Sequence, residues 1–255
     1  MKPVATAMQG SQLKAKFFPE IGAGGFSSVD GTIEFYQRVT ALLRADAVVV
    51  DFGAGRGRAH YEDPVAYRRE LNCLRGKVAK VIGVDVDPVV TTNPTVDQAI
   101  VLNPRDNIPL ADGSVDLIVS DCTFEHIDDP QHVARELDRI LAPGGWICAR
   151  TPNRFGYIAL ANRIVPESMQ ERVLRVVQPS RQKKDVFPAV YRLNSKAALR
   201  QYFDPARYDH FVYAWDSEPA YHAGSPLLYR LFLFVHAISP STFKAMLHIF
   251  LRKKA

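Results

Sequence analysis

The feature that most constrains this chain is the stretch Val48–Arg58, which reads VVVDFGAGRGR. A short, continuous apolar run, Ala47–Phe52, ends with Asp51 and passes at once into Gly53-x-Gly55-x-Gly57. Such a run predicts a strand buried on both faces, which is the environment of a parallel sheet. Glycine at these three points lets a backbone approach a ligand closely and adopt conformations that a Cβ forbids. A helix beginning just afterwards turns its unpaired N–H groups toward the same crevice. In open α/β sheets that edge, outside the carboxyl ends of the strands, is where ligands bind. Taken alone, the stretch also fits an ordinary structural strand–helix turn.

The rest of the chain carries the same alternation. Lys80–Val86, Asp116–Ser120 and Trp146–Thr151 are further apolar runs of strand length. Between them, Val65–Leu74 and Gln131–Leu141 have helical spacing, and in the second Val133, Ala134, Leu137, Ile140 and Leu141 share one face. Asp129 is placed to cap that helix, with Pro130 at its first position and Pro143–Gly144–Gly145 to stop it. A helix over Thr32–Leu43, capped by Asp30, precedes the first strand. Beyond Pro152 the pattern predicts a helix over Tyr157–Val177 broken near Pro166, and a helix over Ser195–Tyr202. It also predicts strands over Phe211–Trp215 and Met246–Arg252, with a helix over Leu227–Ile238 between them. That last helix is apolar on nearly every side, as in a core helix or a lid, with peripheral membrane contact as the alternative. Strands alternating with helices predict a doubly wound α/β sheet with right-handed crossovers. The expectation is one domain over residues 1–255, with a lid-like N-terminal segment over about 1–44 and a helical insertion over about 153–192.

Composition narrows the function. A chain of 255 residues buries a core without covalent staples. Cys73, Cys122 and Cys148 form no CxxC pair, so no disulfide framework is expected and a reducing cytoplasm fits. The seven histidines show no metal-ligand spacing, and no metal is expected. The net charge of +5 is small and spread out. Its densest parts, Arg181–Gln182–Lys183–Lys184 and Arg252–Lys253–Lys254, read as a solvated loop and tail and not as a nucleic-acid stripe. No signal peptide is evident in residues 1–20, and Leu231–Ile238 is too short to span a bilayer, which needs about 20 residues.

A second motif sits at Lys80–Pro88, KVIGVDVDP, where Asp85 falls at the end of the second strand. In this architecture a carboxylate there accepts the two ribose hydroxyls of an adenosyl group; the ordinary alternative is a surface acid or helix cap. The dinucleotide fingerprint GxGxxG would need its third glycine at position 58, which is Arg58, and Asp85 lies further on than the usual spacing of about 20 residues. The phosphate-cradling GxxxxGK[ST] is absent. An adenosyl ligand without a pyrophosphate fits best. A nicotinamide-dependent oxidoreductase and a catalytically silent binding protein are the competing readings.

Four segments in order resemble class I S-adenosylmethionine-dependent methyltransferases, nearest to the small-molecule group: VVVDFGAGRG, KVIGVDVDP, IPLADGSVDLIVSDCTFEHIDDP and ELDRILAPGGWICARTPN. They cover roughly residues 45–153. The resemblance implies a Rossmann-like, mostly parallel seven-stranded sheet with helices on both faces and an antiparallel last strand. It implies S-adenosyl-L-methionine as cofactor and methyl transfer by in-line displacement to a small-molecule, glycan or lipid-intermediate acceptor. The segments GGFSSVDGTIEFY, TPNRFGY, DVFPAVYRLN and GSPLLYRL also resemble methyltransferases of cell-surface glycan and lipid biosynthesis.

Carried over residue by residue, the resemblance implies that Asp51, Gly53, Ala54, Gly55 and Gly57 lie along the amino-acid end of the cofactor. Asp85 takes the ribose, Val86 the adenine face, and Asn107 and Ile108 the adenine edge. A Gly-Asp pair common in the family before Pro109 is replaced by Asn103–Pro104, so Asp106 or backbone groups would take its part. Ser120, Asp121 and Cys122 lie beside the methionine and methyl group, Asp121 attracting the sulfonium or the amino group; the alternative is that Asp121 caps the next turn. Cys122 is expected to be a small buried side chain. His126 is the candidate general base for a hydroxyl acceptor; the alternative is that the Glu125–His126 pair packs at the pocket floor and orients the loop. Asp116 is expected to fix a nearby loop. Tyr36, Tyr157, Tyr191 and Arg192 are candidate acceptor-pocket residues, with core packing as the alternative. The base-methylating Asn/Asp-Pro-Pro-aromatic tetrapeptide is absent, because the fourth strand ends in Ser120–Asp121–Cys122–Thr123.

Overall fold

The computed structural model describes residues 12–157, 159, 189–219 and 224–255. Most of the helix expected over Tyr157–Val177, the basic run at 181–184 and much of the expected insertion lie outside the described residues. The chain divides into two compact units. One comprises Thr32–Pro152, Ala189–Tyr213 and Leu247–Ala255; the other holds the described residues of Met1–Gly31, Asn153–Pro188 and Ala214–Met246.

The first unit is built on a seven-stranded mixed sheet. Its strands are β1 (Val48–Phe52), β2 (Lys80–Asp85), β3 (Gln98–Val101), β4 (Val115–Asp121), β5 (Leu141–Pro152), β6 (Tyr208–Trp215) and β7 (Met246–Lys253). The order across the sheet is β3-β2-β1-β4-β5-β7-β6, a Rossmann-like arrangement with its last strands antiparallel. β1 pairs in parallel with β2 and β4, β2 with β3, and β4 with β5. The central strands are the apolar ones: Val49, Val50, Ile118, Ile147 and Cys148 are fully enclosed. Helix α1 (Gly31–Leu42) contributes Phe35 and Val39 to the same core. On α1, Glu34 accepts hydrogen bonds from Tyr213 Oη (2.8 and 2.9 Å) and lies 2.6 Å from His248 Nδ1, tying α1 to β6 and β7. Burial opposes the charge there, but hydrogen bonds from His248, Arg38 and Tyr213 win and hold the Glu34 carboxyl at about 2.

Two short helices follow β1, α2 (Arg58–Glu62) and α3 (Ala66–Asn72). Helix α4 (Pro130–Ile140) starts as its sequence demands: Asp129 accepts the His132 N–H at 3.0 Å and Pro130 takes the first position. Helix α5 (Lys196–Tyr202) is capped by Ser195, whose hydroxyl accepts the Ala198 N–H.

Two strand expectations change. β3 had no clear sequence signature; it is a four-residue edge strand with no fully buried position. β5 begins at Leu141, not Trp146, so Pro143–Gly144–Gly145 lies inside the strand. The pairing with β4 is irregular there, between Val115 and Leu117. A Cβ on Gly145 would stand 2.9 Å from the Asp116 carbonyl oxygen, so only glycine lets β5 pass this close.

In the second unit, Asn153 Nδ2 donates to the carbonyls of Thr242 and Lys244, both at 2.8 Å, and the Trp215 indole donates to the Val29 carbonyl. Helix α6 (Pro226–Ile238) is capped by Ser225. Tyr229 is its buried residue and stacks on Phe17 at 4.8 Å between ring centroids. Of the two expectations for this helix, core or lid, the core one is corrected: Leu227, Leu231, Phe234 and Ile238 are exposed.

Candidate functional site

The carboxyl ends of β1, β2 and β4 form the rim where the sequence motifs converge. Gly53, Gly55 and Gly57 have φ of +82°, +51° and +70°, the left-handed region that other residues enter only at a cost. Close approach demands two of them as well. A Cβ on Gly53 would fall 2.0 Å from Thr123 Oγ1, and one on Gly57 2.4 Å from Asn93 Oδ1. Around Gly55 a Cβ would meet nothing within 4 Å, so this glycine faces open space.

The loop is held from below by a residue that sequence reasoning missed. Asn93 is buried, and its amide donates to the carbonyls of Ala54 (2.9 Å) and Gly55 (3.3 Å) while Oδ1 accepts from the Thr95 N–H and hydroxyl. The one available signal was an asparagine before a proline in TTNPT. Asp85 holds the loop from the side: Oδ2 accepts the Gly55 N–H at 2.7 Å and Oδ1 accepts the Asp87 N–H at 2.8 Å. The two motifs read from sequence are therefore joined through one carboxylate. Val86 next to it is 47% exposed, an apolar side chain left open beside a polar clamp.

Asp51, at the end of β1, lines a cavity of about 140 Å³ with Tyr36, Gly53, Ala54, Gly57, Arg69, Asn72 and Asp121 among its walls. Among the described residues no donor reaches the Asp51 carboxyl. Burial, with the neighbouring charges of Asp121 and Asp85, pushes its pKa up to about 7. Tyr36 is buried and kept as a neutral phenol, first by burial and then by Asp121 and Asp51. Among the described residues, Asn72 Oδ1, in the same wall, is a buried acceptor without a hydrogen-bond partner.

Asp121 is differently placed. Arg150 on β5 grips both of its oxygens (Nε–Oδ1 2.8 Å, Nη2–Oδ2 2.7 Å) and donates through Nη1 to Thr32. Such forked pairing fixes the orientation of a carboxylate as well as its charge. Cys122 corrects an expectation. It is exposed, not buried, and has φ +58°, with its N–H bonded to the Arg150 carbonyl at 2.7 Å. The positive φ costs about 1–2 kcal/mol. Although the residue as a whole is exposed, burial of the sulfur, with Asp121 beside it, raises the thiol pKa and keeps it protonated. Ser120 is buried, and its hydroxyl donates to the Phe52 carbonyl.

The Glu125–His126 pair follows in a short turn, Phe124–His126. Glu125 is buried and its pKa is raised, chiefly by burial. Its Oε2 accepts the Thr151 hydroxyl at 2.8 Å, Thr151 in turn accepts the Asn194 amide, and the Glu125 carbonyl accepts the N–H groups of Val190 and Tyr191. Tyr191 has φ +55°, so a second strained residue closes this network. His126 Nε2 stands 3.9 Å from Glu125 Oε1, and His126 is not among the walls of the Asp51 cavity.

Other expected residues are not among the walls of that cavity. Ile108 is buried, its N–H bonded to Glu136 Oε2 (2.9 Å) and its carbonyl to Arg139 Nη2 (2.8 Å), so both of its main-chain groups are engaged within the protein. Asn107 is exposed, and the Asp106 carboxylate takes the Asn103 amide at 2.7 Å. Arg192 pairs with Asp128 at 2.9 Å. Tyr157 belongs to the other unit, where it packs on Phe232 and His236.

The fold and this rim define a Rossmann-like α/β domain with its ligand edge at the ends of β1, β2 and β4. Residues 50–149 match the family model described as a methyltransferase domain. A relative from Mycolicibacterium smegmatis, named as an S-adenosylmethionine-dependent methyltransferase, is 35% identical over 127 residues, or 48% of this chain. The matched chain spans 44% of that curated relative's length. Among solved structures, a chain in the complex of the Haloferax volcanii Trm112 methyltransferase activator with a methyltransferase aligns with TM-score 0.55 and 19% identity, covering 89% of this chain and 91% of that one. An S-adenosylmethionine-dependent methyltransferase of Thermotoga maritima aligns with TM-score 0.52 and 17% identity, covering 97% and 99%. At such identities the structural likenesses establish the fold. Residues 50–149 are thus similar to a methyltransferase domain, set on the fold of class I S-adenosylmethionine-dependent methyltransferases.

Proposed function

We propose that this protein transfers a methyl group from S-adenosyl-L-methionine to a small-molecule, glycan or lipid-intermediate acceptor. The observation that carries the reading is Asp51: a recessed carboxyl with a pKa raised to about 7 and no donor of its own among the described residues, lining one cavity with Gly53, Ala54 and Gly57 of the loop whose Gly55 opens onto free space. A cationic group arriving there would supply the missing partner, and the open side of Gly55 gives it room.

The bound cofactor would supply a methyl carbon on a positively charged sulfur, which leaves as a neutral thioether. The chain's own work is then to hold, orient and exclude water. In this reading Asp51 receives the amino group, and the backbone of Gly53, Ala54, Gly55 and Gly57 lies along the amino-acid end. Asp85 keeps both oxygens free enough to accept the ribose hydroxyls, since each takes only one N–H from the protein. Val86 covers one face of the adenine, and Asn107 lies at its edge. Ile108 would contribute shape and no main-chain hydrogen bond. Asp121, steadied by Arg150, and Cys122 border the reacting centre. If the acceptor is a hydroxyl, His126 takes its proton as the new bond to carbon forms, with Glu125 orienting the imidazole.

Thermal-shift titration tests the cofactor. S-adenosylhomocysteine at a hundred times its Kd should stabilise the protein by about 2.7 kcal/mol, and NAD should not. Stabilisation by NAD alone would overturn the reading. For the acceptor, the protein is incubated with cofactor carrying a labelled methyl group and a fractionated cell extract. Label in the water-soluble metabolite, glycan or lipid fraction identifies the class. Replacement of His126 with Ala at saturating cofactor should lower turnover about a hundredfold for a hydroxyl acceptor; an unchanged rate removes His126 from the chemistry.

A further inference from the structure

Helix α6 has two apolar faces and only one of them is covered. At about 100° per residue, Leu227, Leu231, Phe234 and Ile238 fall within one narrow stripe along the helix. They are 76%, 53%, 60% and 63% exposed. The opposite side carries Tyr229, buried and stacked on Phe17, and His236 packed on Tyr157. A helix that is apolar all round belongs inside a protein or against another apolar phase. Here the outward stripe holds two leucines, a phenylalanine and an isoleucine, all large apolar side chains. Phe243, in the turn after it, is 48% exposed as well.

Three observations select the occupant. First, residues 224–246 contain Arg230 and Lys244 and no acid at all. Arg230 is exposed and flanks the stripe on the helix itself. The surface is therefore apolar with a basic border, complementary to an anionic, oily phase. Second, the 13-residue helix is about 20 Å long and about 10 Å wide, so its outer face offers about 200 Å². A specific protein interface buries about 800 Å² on each partner, and the stripe alone falls well short of it. A lipid surface needs no shape complementarity and accepts a patch of this size. Third, no described helix is long and apolar enough to cross a membrane. The geometry suits a helix lying in the interface, not spanning it.

We propose that the Leu227–Leu231–Phe234–Ile238 face of α6 seats the protein on an anionic lipid surface, its apolar side chains among the acyl chains and Arg230 at the headgroups. The contact is peripheral and reversible, and it is independent of methyl transfer.

The test is co-sedimentation of the full-length protein with phosphatidylglycerol–phosphatidylcholine vesicles, with pure phosphatidylcholine vesicles alongside. The unaltered protein should bind the anionic vesicles and bind the neutral ones several times more weakly. L231E/F234E, at exposed positions, should keep its melting temperature and lose binding about a hundredfold or more. Arg230→Gln should weaken binding to anionic vesicles about fivefold. Lack of binding to anionic vesicles overturns the proposal, as does equal binding by L231E/F234E. Sedimentation velocity supplies the last arm: a dimer that L231E/F234E converts to monomer assigns the face to a second copy of the chain and overturns the lipid assignment.

Discussion

The parallel sheet has two rims, and they are built on opposite principles. At the amino ends of its strands the acids Asp116 and Asp97 have work within the protein. Asp116 accepts the Val48 N–H and an Arg44 guanidinium, and Asp97 accepts the Val81 N–H and an Arg75 guanidinium. At the carboxyl ends Asp51 has no donor among the described residues, three glycines are left-handed, and Cys122 is strained. Both rims hold a cavity. The one at the amino ends, lined by Arg44, Asp116, Trp146 and Arg252, is the larger at about 310 Å³, against about 140 Å³ at the other. Size therefore does not single out the proposed cofactor rim. What marks it is unsatisfied charge and backbone strain, which a stable fold tolerates where a ligand will complete the site.

The largest effect expected from breaking this contrast is that of Gly53→Ala. Its Cβ would collide with Thr123 and its φ is left-handed, so urea unfolding should show a loss of about 3 kcal/mol. Next comes Asp51→Asn, which should weaken S-adenosylhomocysteine binding about a hundredfold by calorimetry. The same change should raise the melting temperature of the ligand-free protein at pH 8. The sign follows from Asp51, whose folded pKa of about 7 lies above the ordinary 3.8. Such a carboxyl costs stability as pH rises from near 4 to 7, and asparagine escapes that cost. A lower melting temperature for the variant at pH 8 would contradict the raised pKa.

Below that lies the pH dependence of the native protein. Asp51 must be ionised to receive a cation, so cofactor affinity should be about tenfold weaker at pH 6 than at pH 8, and Asp51→Asn should flatten the profile. The finest test compares two left-handed glycines with open surroundings, one on each rim. Gly55→Ala and Gly144→Ala should each cost about 1 kcal/mol of stability, for the same conformational reason. Only Gly55→Ala should also weaken cofactor binding. Equal affinities in the two variants would remove Gly55 from the site.

Much of this was legible in the chain. The strands β1, β2 and β4, the capped helix α4 and the glycine loop rest on local pattern: continuous apolar runs, an Asp-Pro cap, and residues that alone tolerate positive φ. β3 escaped because a four-residue edge strand buries too little to leave an apolar run. The early start of β5 escaped because Pro-Gly-Gly signals a turn, whereas packing against Asp116 uses the same glycines to let a strand pass. Asn93 and Thr123 lie far from the loop they support in sequence, so no local window joins them to Gly57 or Gly53.

Sequence by itself determined which segments became the sheet's central strands and where the glycine loop and Asp85 fall along them, because these depend on periodicity and on which residues can occupy a given φ. Tertiary structure alone decided the raised pKa of Asp51, the capture of Asp121 by Arg150, the strained backbone at Cys122 and the bare face of α6. Each of these is a matter of burial and distance between residues remote in the chain, and burial is a property of the packed molecule, not of any segment within it.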